Sequence, residues 1–147
     1  MSKHRFLALA AFGFLACSST ATFADDHPFT EGPVVNVASI RTEDGKFDDY
    51  MTWLSTVWKK EQEASKKAGY IVSYQILTVE ARGPNDPDIY LVTVYRNWAA
   101  LDGATAKGDD IAKQIEGSVA AANKAQADRG KIRRVLGSQT MQELVLK

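Results

Sequence analysis

The stretch DIYLVTVYRNW, residues 88–98, constrains the fold more than any other part of the chain. It is rich in β-branched and aromatic residues, the composition of a strand. Side chains alternate across a strand, so Ile89, Leu91, Thr93 and Tyr95 share one face, and Tyr90, Val92, Val94 and Arg96 share the other. Both faces carry large apolar groups, whereas a strand with one wet face would alternate apolar with polar residues. The fold must therefore cover both sides of this strand.

The flanking segments define the rest of the order. Residues 34–41, VVNVASIR, read as a first strand closed by the turn TEDGK. Over 46–68 the period changes: Phe47, Tyr50, Met51, Leu54, Val57, Trp58, Glu61 and Ala68 recur at spacings of three and four and predict an amphipathic helix. Asp48 and Asp49 suit its N-terminus, Lys66 and Lys67 its C-terminus, and Gly69 its stop. Residues 70–81 return to strand composition, with Ile71, Leu77 and Val79 expected on one face and Val72, Tyr74 and Ile76 on the other. The prolines and glycine of RGPNDP then turn the chain into the 88–98 strand, which makes an antiparallel hairpin.

Asn97 is the expected N-cap of a short helix over WAALD, and GATAKG is expected to interrupt it. Asp109 or Asp110 would restart the helix, which would run to Arg129 with Gly130 as its C-cap and Ile111, Ile115, Val119 and Ala122 on its buried side. IRRVLGSQTMQELVL closes the chain as a strand bent or bulged near Gly137. The order β-α-β-β-α-β is the ferredoxin-like, split βαβ arrangement of the α+β class, an antiparallel sheet in a single domain over 33–147.

Ahead of the domain, residues 1–24 have the parts of a secretory signal: basic Lys3 and Arg5, an apolar run over 6–16, and small residues ending at Ala24, with Thr22 at the minus-three position. Export to a periplasm, or secretion, is the expectation. A lipoprotein signal is the rival, with Cys17 acylated and the protein held on a membrane, although Phe14 stands where such signals usually carry Leu. Residues 25–32 are expected to form a flexible leader.

The chain has one cysteine, Cys17, and two histidines, His4 and His27. The folded body thus has neither residue type, so disulfides cannot staple it and its own core must. Loss of Lys3 and Arg5 from a chain with 18 basic and 18 acidic residues leaves a slightly acidic remainder, which gives no reason to expect nucleic acid or an anionic membrane as a partner. Zinc spacing, a calcium loop, a glycine-rich phosphate cradle and a GxSxG elbow are all missing from the sequence, so no metal or other cofactor is expected.

Connectivity puts both helices of such a domain on one side of the sheet. Leaving about six large apolar side chains of the other side in water forgoes on the order of 10 kcal/mol per subunit. Two subunits together outweigh the ~4 to 15 kcal/mol lost on association, so a homodimer closing sheet against sheet is expected.

With EDGKFDDYMTWL after the first strand and YLVTVYRNWAALDG at the junction of third strand and second helix, residues 34–146 resemble the dimeric α/β-barrel superfamily. Its branches include antibiotic-biosynthesis-type monooxygenases, haem-degrading proteins and muconolactone-isomerase-like enzymes; this chain is most similar to small exported members of unknown role. The resemblance implies a homodimeric barrel with a substrate held between the sheet and the helices of one subunit. Haem-degrading relatives use an Asn on the first strand, a Trp and a His. Asn36 and Trp98 match the first two, but the body has no His, which argues against haem chemistry.

A cavity between helix and sheet would be bordered by the first helix's stripe, where Glu61 is the discordant residue. Among apolar groups its carboxyl would have a raised pKa and could act as a general base; at the helix end it would instead be solvated, or paired with Lys60 or Arg96. Tyr74 and Tyr95 are the other acid-base candidates. Trp53, Trp58 and Trp98 could stack on a flat ligand, Trp53 being placed to face a cavity or the second helix, while Asn36 and Arg96 could orient a polar group. These residues support an exported protein that binds a small, partly aromatic or lipophilic molecule. The alternatives are a cofactor-independent monooxygenase or isomerase, and a structural homodimer with no cavity at all.

Overall fold

The computed structural model describes residues 27–147. The expected signal segment, its expected cleavage point at Ala24 and Cys17 lie outside these residues. Strand β1 spans Phe29–Thr42, followed by helix α1 (Phe47–Trp53), a π-helical turn (Leu54–Trp58) and helix α2 (Lys59–Lys67) in one continuous rod. Strands β2 (Ser73–Thr78) and β3 (Ile89–Tyr95) form the expected hairpin, and helices α3 (Ala104–Glu116) and α4 (Val119–Asp128) lead to strand β4 (Arg133–Leu146). The sheet is antiparallel with order β2-β3-β1-β4, so the fold is ferredoxin-like.

Register decides which side chains meet the helices. Val34 pairs with Tyr95, Ala38 with Leu91 and Ile40 with Ile89, so alternate residues of β1 and β3 share one face. There Ile40 and Ile89 pack with Tyr50, Leu54 and Trp58 to form the core, bordered by Tyr74, Ile76 and Trp53. The middle of the first helix's apolar stripe, Tyr50, Leu54 and Trp58, is thus buried as its spacing predicts, while Phe47 and Ala68 at its ends are exposed. At the end of β1 the Thr42 amide donates to Asp88 Oδ1 at 3.1 Å and its hydroxyl donates to Oδ2, tying β1 to the start of β3. The opposite face carries Val35, Val37, Tyr90, Val94, Leu77 and Met141, the last two close to half exposed.

Four local expectations come out differently. Part of the expected leader is ordered: Phe29 pairs with Leu146 and Glu31 with Leu144, extending β1 past the sheet as a two-stranded ribbon. The long complementary β4 supplies the ladder that composition alone did not reveal. Strand β2 begins only at Ser73, so Ile71 leaves the alternation that would have set it beside Leu77, and is instead buried on the helix side. The second helix starts at Ala104 and runs through Gly108, because its Ala and Lys neighbours offset the ~1 kcal/mol cost of one interior glycine. It breaks later, at Gly117 (φ 82°), where the Ser118 hydroxyl caps α4 by accepting from the Ala121 amide at 3.0 Å. Finally, the π-helical turn interrupts what the spacing presents as a regular helix. Thr52 donates its hydroxyl to the Asp48 carbonyl, and Ser55 and Thr56 both donate theirs to the Thr52 carbonyl, at 2.7–2.9 Å; such back-bonding competes with the backbone ladder.

Other signals appear as expected. Asn97 caps the 3₁₀ turn Trp98–Leu101 by accepting from the Ala100 amide, Gly69 (φ 76°) follows α2, and a bulge interrupts the β1–β4 pairing beside Gly137.

Candidate functional site

Two of the predicted acid-base residues meet at one cavity. Glu61 and Ser65 on α2, Tyr70 and Ile71 in the following turn, Tyr95 at the end of β3, Leu101 in the 3₁₀ turn, and Lys107 and Ile111 on α3 all line a space of about 290 Å³. The region between helices and sheet is therefore not fully packed. Ile71, Leu101 and Ile111 make part of the wall apolar, and Glu61, Lys107 and the Tyr95 hydroxyl bring the chemistry.

Glu61 is half-buried, and its carboxyl is pushed up from 4.5 to about 7. Burial contributes most, then a side-chain hydrogen bond with Glu116 and the repulsion of its charge, against a smaller opposing pull from Arg129. The two carboxyls meet across the α2–α3 interface, so Glu61 sits beside an acid rather than with Lys60 or Arg96, its partners under the alternative of a helix-end position. The raised value leaves Glu61 partly protonated near neutral pH.

Around this pair sits a cationic support. The Arg129 guanidinium lies 4.2 Å over the Trp53 ring, which itself stacks on Tyr50 at 5.5 Å. Arg129 donates Nη2 to Gln126 Oε1 at 2.7 Å, while its buried Nε and Nη1 make no hydrogen bond to the protein. Burial pushes the Arg129 pKa down, and the nearby Glu116 charge opposes this. Trp53 thus faces the second helical segment, as its place on the stripe suggests, rather than the cavity.

Tyr95 is held above the usual phenol range by burial, and its hydroxyl makes no hydrogen bond within the described residues. Lys107 donates Nζ to the Ala100 carbonyl at 2.8 Å and sits 5.5 Å from the Tyr70 ring centroid. No carboxylate forms an ion pair with it among the described residues.

The remaining candidates lie elsewhere. Tyr74 donates its hydroxyl to Glu63 Oε1 at 2.6 Å and packs edge-on against Trp58, away from the cavity wall. Trp58 is core. Asn36 donates Nδ2 to Thr140 Oγ1 at 2.9 Å, Trp98 donates Nε1 to Gln142 Oε1 at 2.9 Å, and Arg96 is exposed beyond β3. Sequence reasoning missed Glu116, Lys107 and Tyr70. Glu116 gives no local signal, since only the packing of α3 on α2 brings it to Glu61. Among the described residues no cluster of three or more His, Cys, Asp or Glu could hold a metal, and no helix is long and apolar enough to cross a membrane.

This geometry belongs to the ferredoxin-like class, and solved structures share it. Protein SO0527 from Shewanella oneidensis matches at TM-score 0.50 and 15% identity, covering 80% of this chain and 96% of that one. A dimeric ferredoxin-like protein from an uncultured marine organism matches at TM-score 0.50 and 12% identity, covering 80% and 90%. No protein-family model and no curated protein matches the sequence. At such identities the likeness is one of fold.

Proposed function

We propose that this chain is an exported homodimer that binds a small, partly aromatic or lipophilic molecule in the cavity between α2, α3 and the end of β3. The observation that carries the reading is the cavity itself: about 290 Å³, lined by apolar Ile71, Leu101 and Ile111, two tyrosine rings, and polar Glu61, Gln62, Ser65 and Lys107, a mix that can bind and orient a small ligand. Association is supported by the apolar sheet face opposite the helices, where Leu77 and Met141 are 48% and 46% exposed in one chain. The marine neighbour is described as dimeric, and the two-sided strand pattern of β3 gives this chain the same need for cover. Export rests on the signal-like residues 1–24.

Native mass spectrometry of protein taken from its own periplasm tests the reading. A dimer mass with a retained small molecule is the expected result; a monomer at micromolar concentration with no bound molecule would sink it. An N-terminus at Asp25 is expected in the same preparation, and an acylated Cys17 would instead mean membrane anchoring.

One observation favours a second reading, a cofactor-independent monooxygenase or isomerase. The Glu61 carboxyl, held near 7 on the cavity wall, is matched to proton transfer at neutral pH, with the Tyr95 hydroxyl on the same wall. Under this reading Glu61→Gln loses turnover and keeps ligand affinity, whereas a simple binder has no turnover to lose.

A further inference from the structure

The cavity has two chemically opposite ends. Lys107 and Glu116 stand nine residues apart on α3, which at 1.5 Å per residue separates them by about 13 Å along the helix. The Glu61 carboxyl lies beside that of Glu116, so it marks the far end of the cavity. The Lys107 ammonium reaches back to the Ala100 carbonyl, before the start of α3, and so marks the near end. Ile71, Ile111 and Tyr95 line the same cavity, and Ile111 stands between Lys107 and Glu116 on α3.

At the near end the ammonium has a carbonyl and a ring face but no counter-anion among the described residues. That arrangement leaves N–H donors and an uncompensated charge for an anionic group. At the far end the Glu61 carboxyl stands beside the Glu116 carboxyl and faces the cavity, where its lone pairs can accept. A ligand O–H or N–H placed there stabilises the ionised Glu61 carboxylate and competes with its proton. The groups facing Glu61 are Glu116 from α3 and Arg129 after α4, and Arg129 supports the ionised form.

We propose that the cavity selects an elongated, flat molecule bearing a carboxylate at one end and an O–H donor at the other, of the hydroxyaryl carboxylate class. This rests on the reading of the cavity as a ligand site. The carboxylate meets Lys107, the aromatic middle lies among Ile71, Ile111 and Tyr95, and the hydroxyl donates to Glu61.

Calorimetric titration of the full protein with three probes tests this: para-hydroxycinnamate, cinnamate without the hydroxyl, and para-vinylphenol without the carboxylate. The first should bind about tenfold tighter than either of the others, the cost of one missing hydrogen bond to a charged group. Its affinity should rise from about pH 6 to about pH 8, with protons released on binding, as expected when a ligand donor displaces the Glu61 proton. Glu61→Gln should remove the proton release, and Lys107→Met should remove the advantage of para-hydroxycinnamate over para-vinylphenol, while Lys107→Arg retains it. Equal affinity for all three probes in the wild-type protein overturns the two-ended selection and leaves the cavity as a ligand site. Failure of all three to bind overturns both.

Discussion

Glu61 on α2 and Glu116, the last residue of α3, bring two carboxyls together across a helix interface. The folded state holds Glu61's proton up to about pH 7, whereas the ordinary value is 4.5. The native state therefore binds more protons between those values, and stability falls as pH rises through that window. This contribution is complete below about 4.5 and gone above about 7. Urea midpoints should fall from pH 5 to pH 8, and Glu61→Gln should flatten the trend and stabilise the protein at pH 8 by on the order of 1 kcal/mol, a value kept small by the half-exposed position of the carboxyl. An unchanged pH trend in the variant would show that Glu61 does not hold the proton.

The Arg129 guanidinium over Trp53 is a second link between the first helix and the segment after α4. Partly buried cation–π contacts contribute about 1 to 2 kcal/mol. A double-mutant cycle of Trp53→Leu and Arg129→Met should give a coupling energy of about 1 kcal/mol by denaturant titration. Strict additivity would mean that the stacking contributes nothing.

Tyr95 and Tyr74 should separate cleanly. Tyr95 lines the cavity with an unbonded hydroxyl, while Tyr74 spends its hydroxyl on Glu63 at the surface. Tyr95→Phe should alter ligand affinity or pH dependence with little loss of stability. Tyr74→Phe should leave ligand binding unchanged and shift stability by less than about 1 kcal/mol. A Tyr74→Phe defect in binding would displace the site toward Trp58.

Leu54, fully buried where the π-helical turn begins, packs with Ile40, Ile89 and Trp58. Leu54→Ala should cost about 2 to 5 kcal/mol, read as a lowered urea midpoint with unchanged slope. A cost under about 1 kcal/mol would show that the turn relaxes to fill the space.

Residues acting through their nearest chain neighbours were legible from the sequence. The stripe Tyr50, Leu54 and Trp58, the stop at Gly69, the cap at Asn97 and the bulge beside Gly137 each follow from local backbone geometry and hydrogen bonding, so the order of elements and the two apolar faces of β3 could be read directly. The tertiary structure decided what Glu61 is. Its spacing put it on the buried stripe, yet its charge state depends on Glu116 and Arg129, which only the docking of the second helical pair brings near. Electrostatic environment is a property of distances through space, and periodicity along the chain carries no record of them. The same holds for Lys107 and Ile71: one became the basic end of a cavity and the other its apolar wall because elements remote in sequence enclose them.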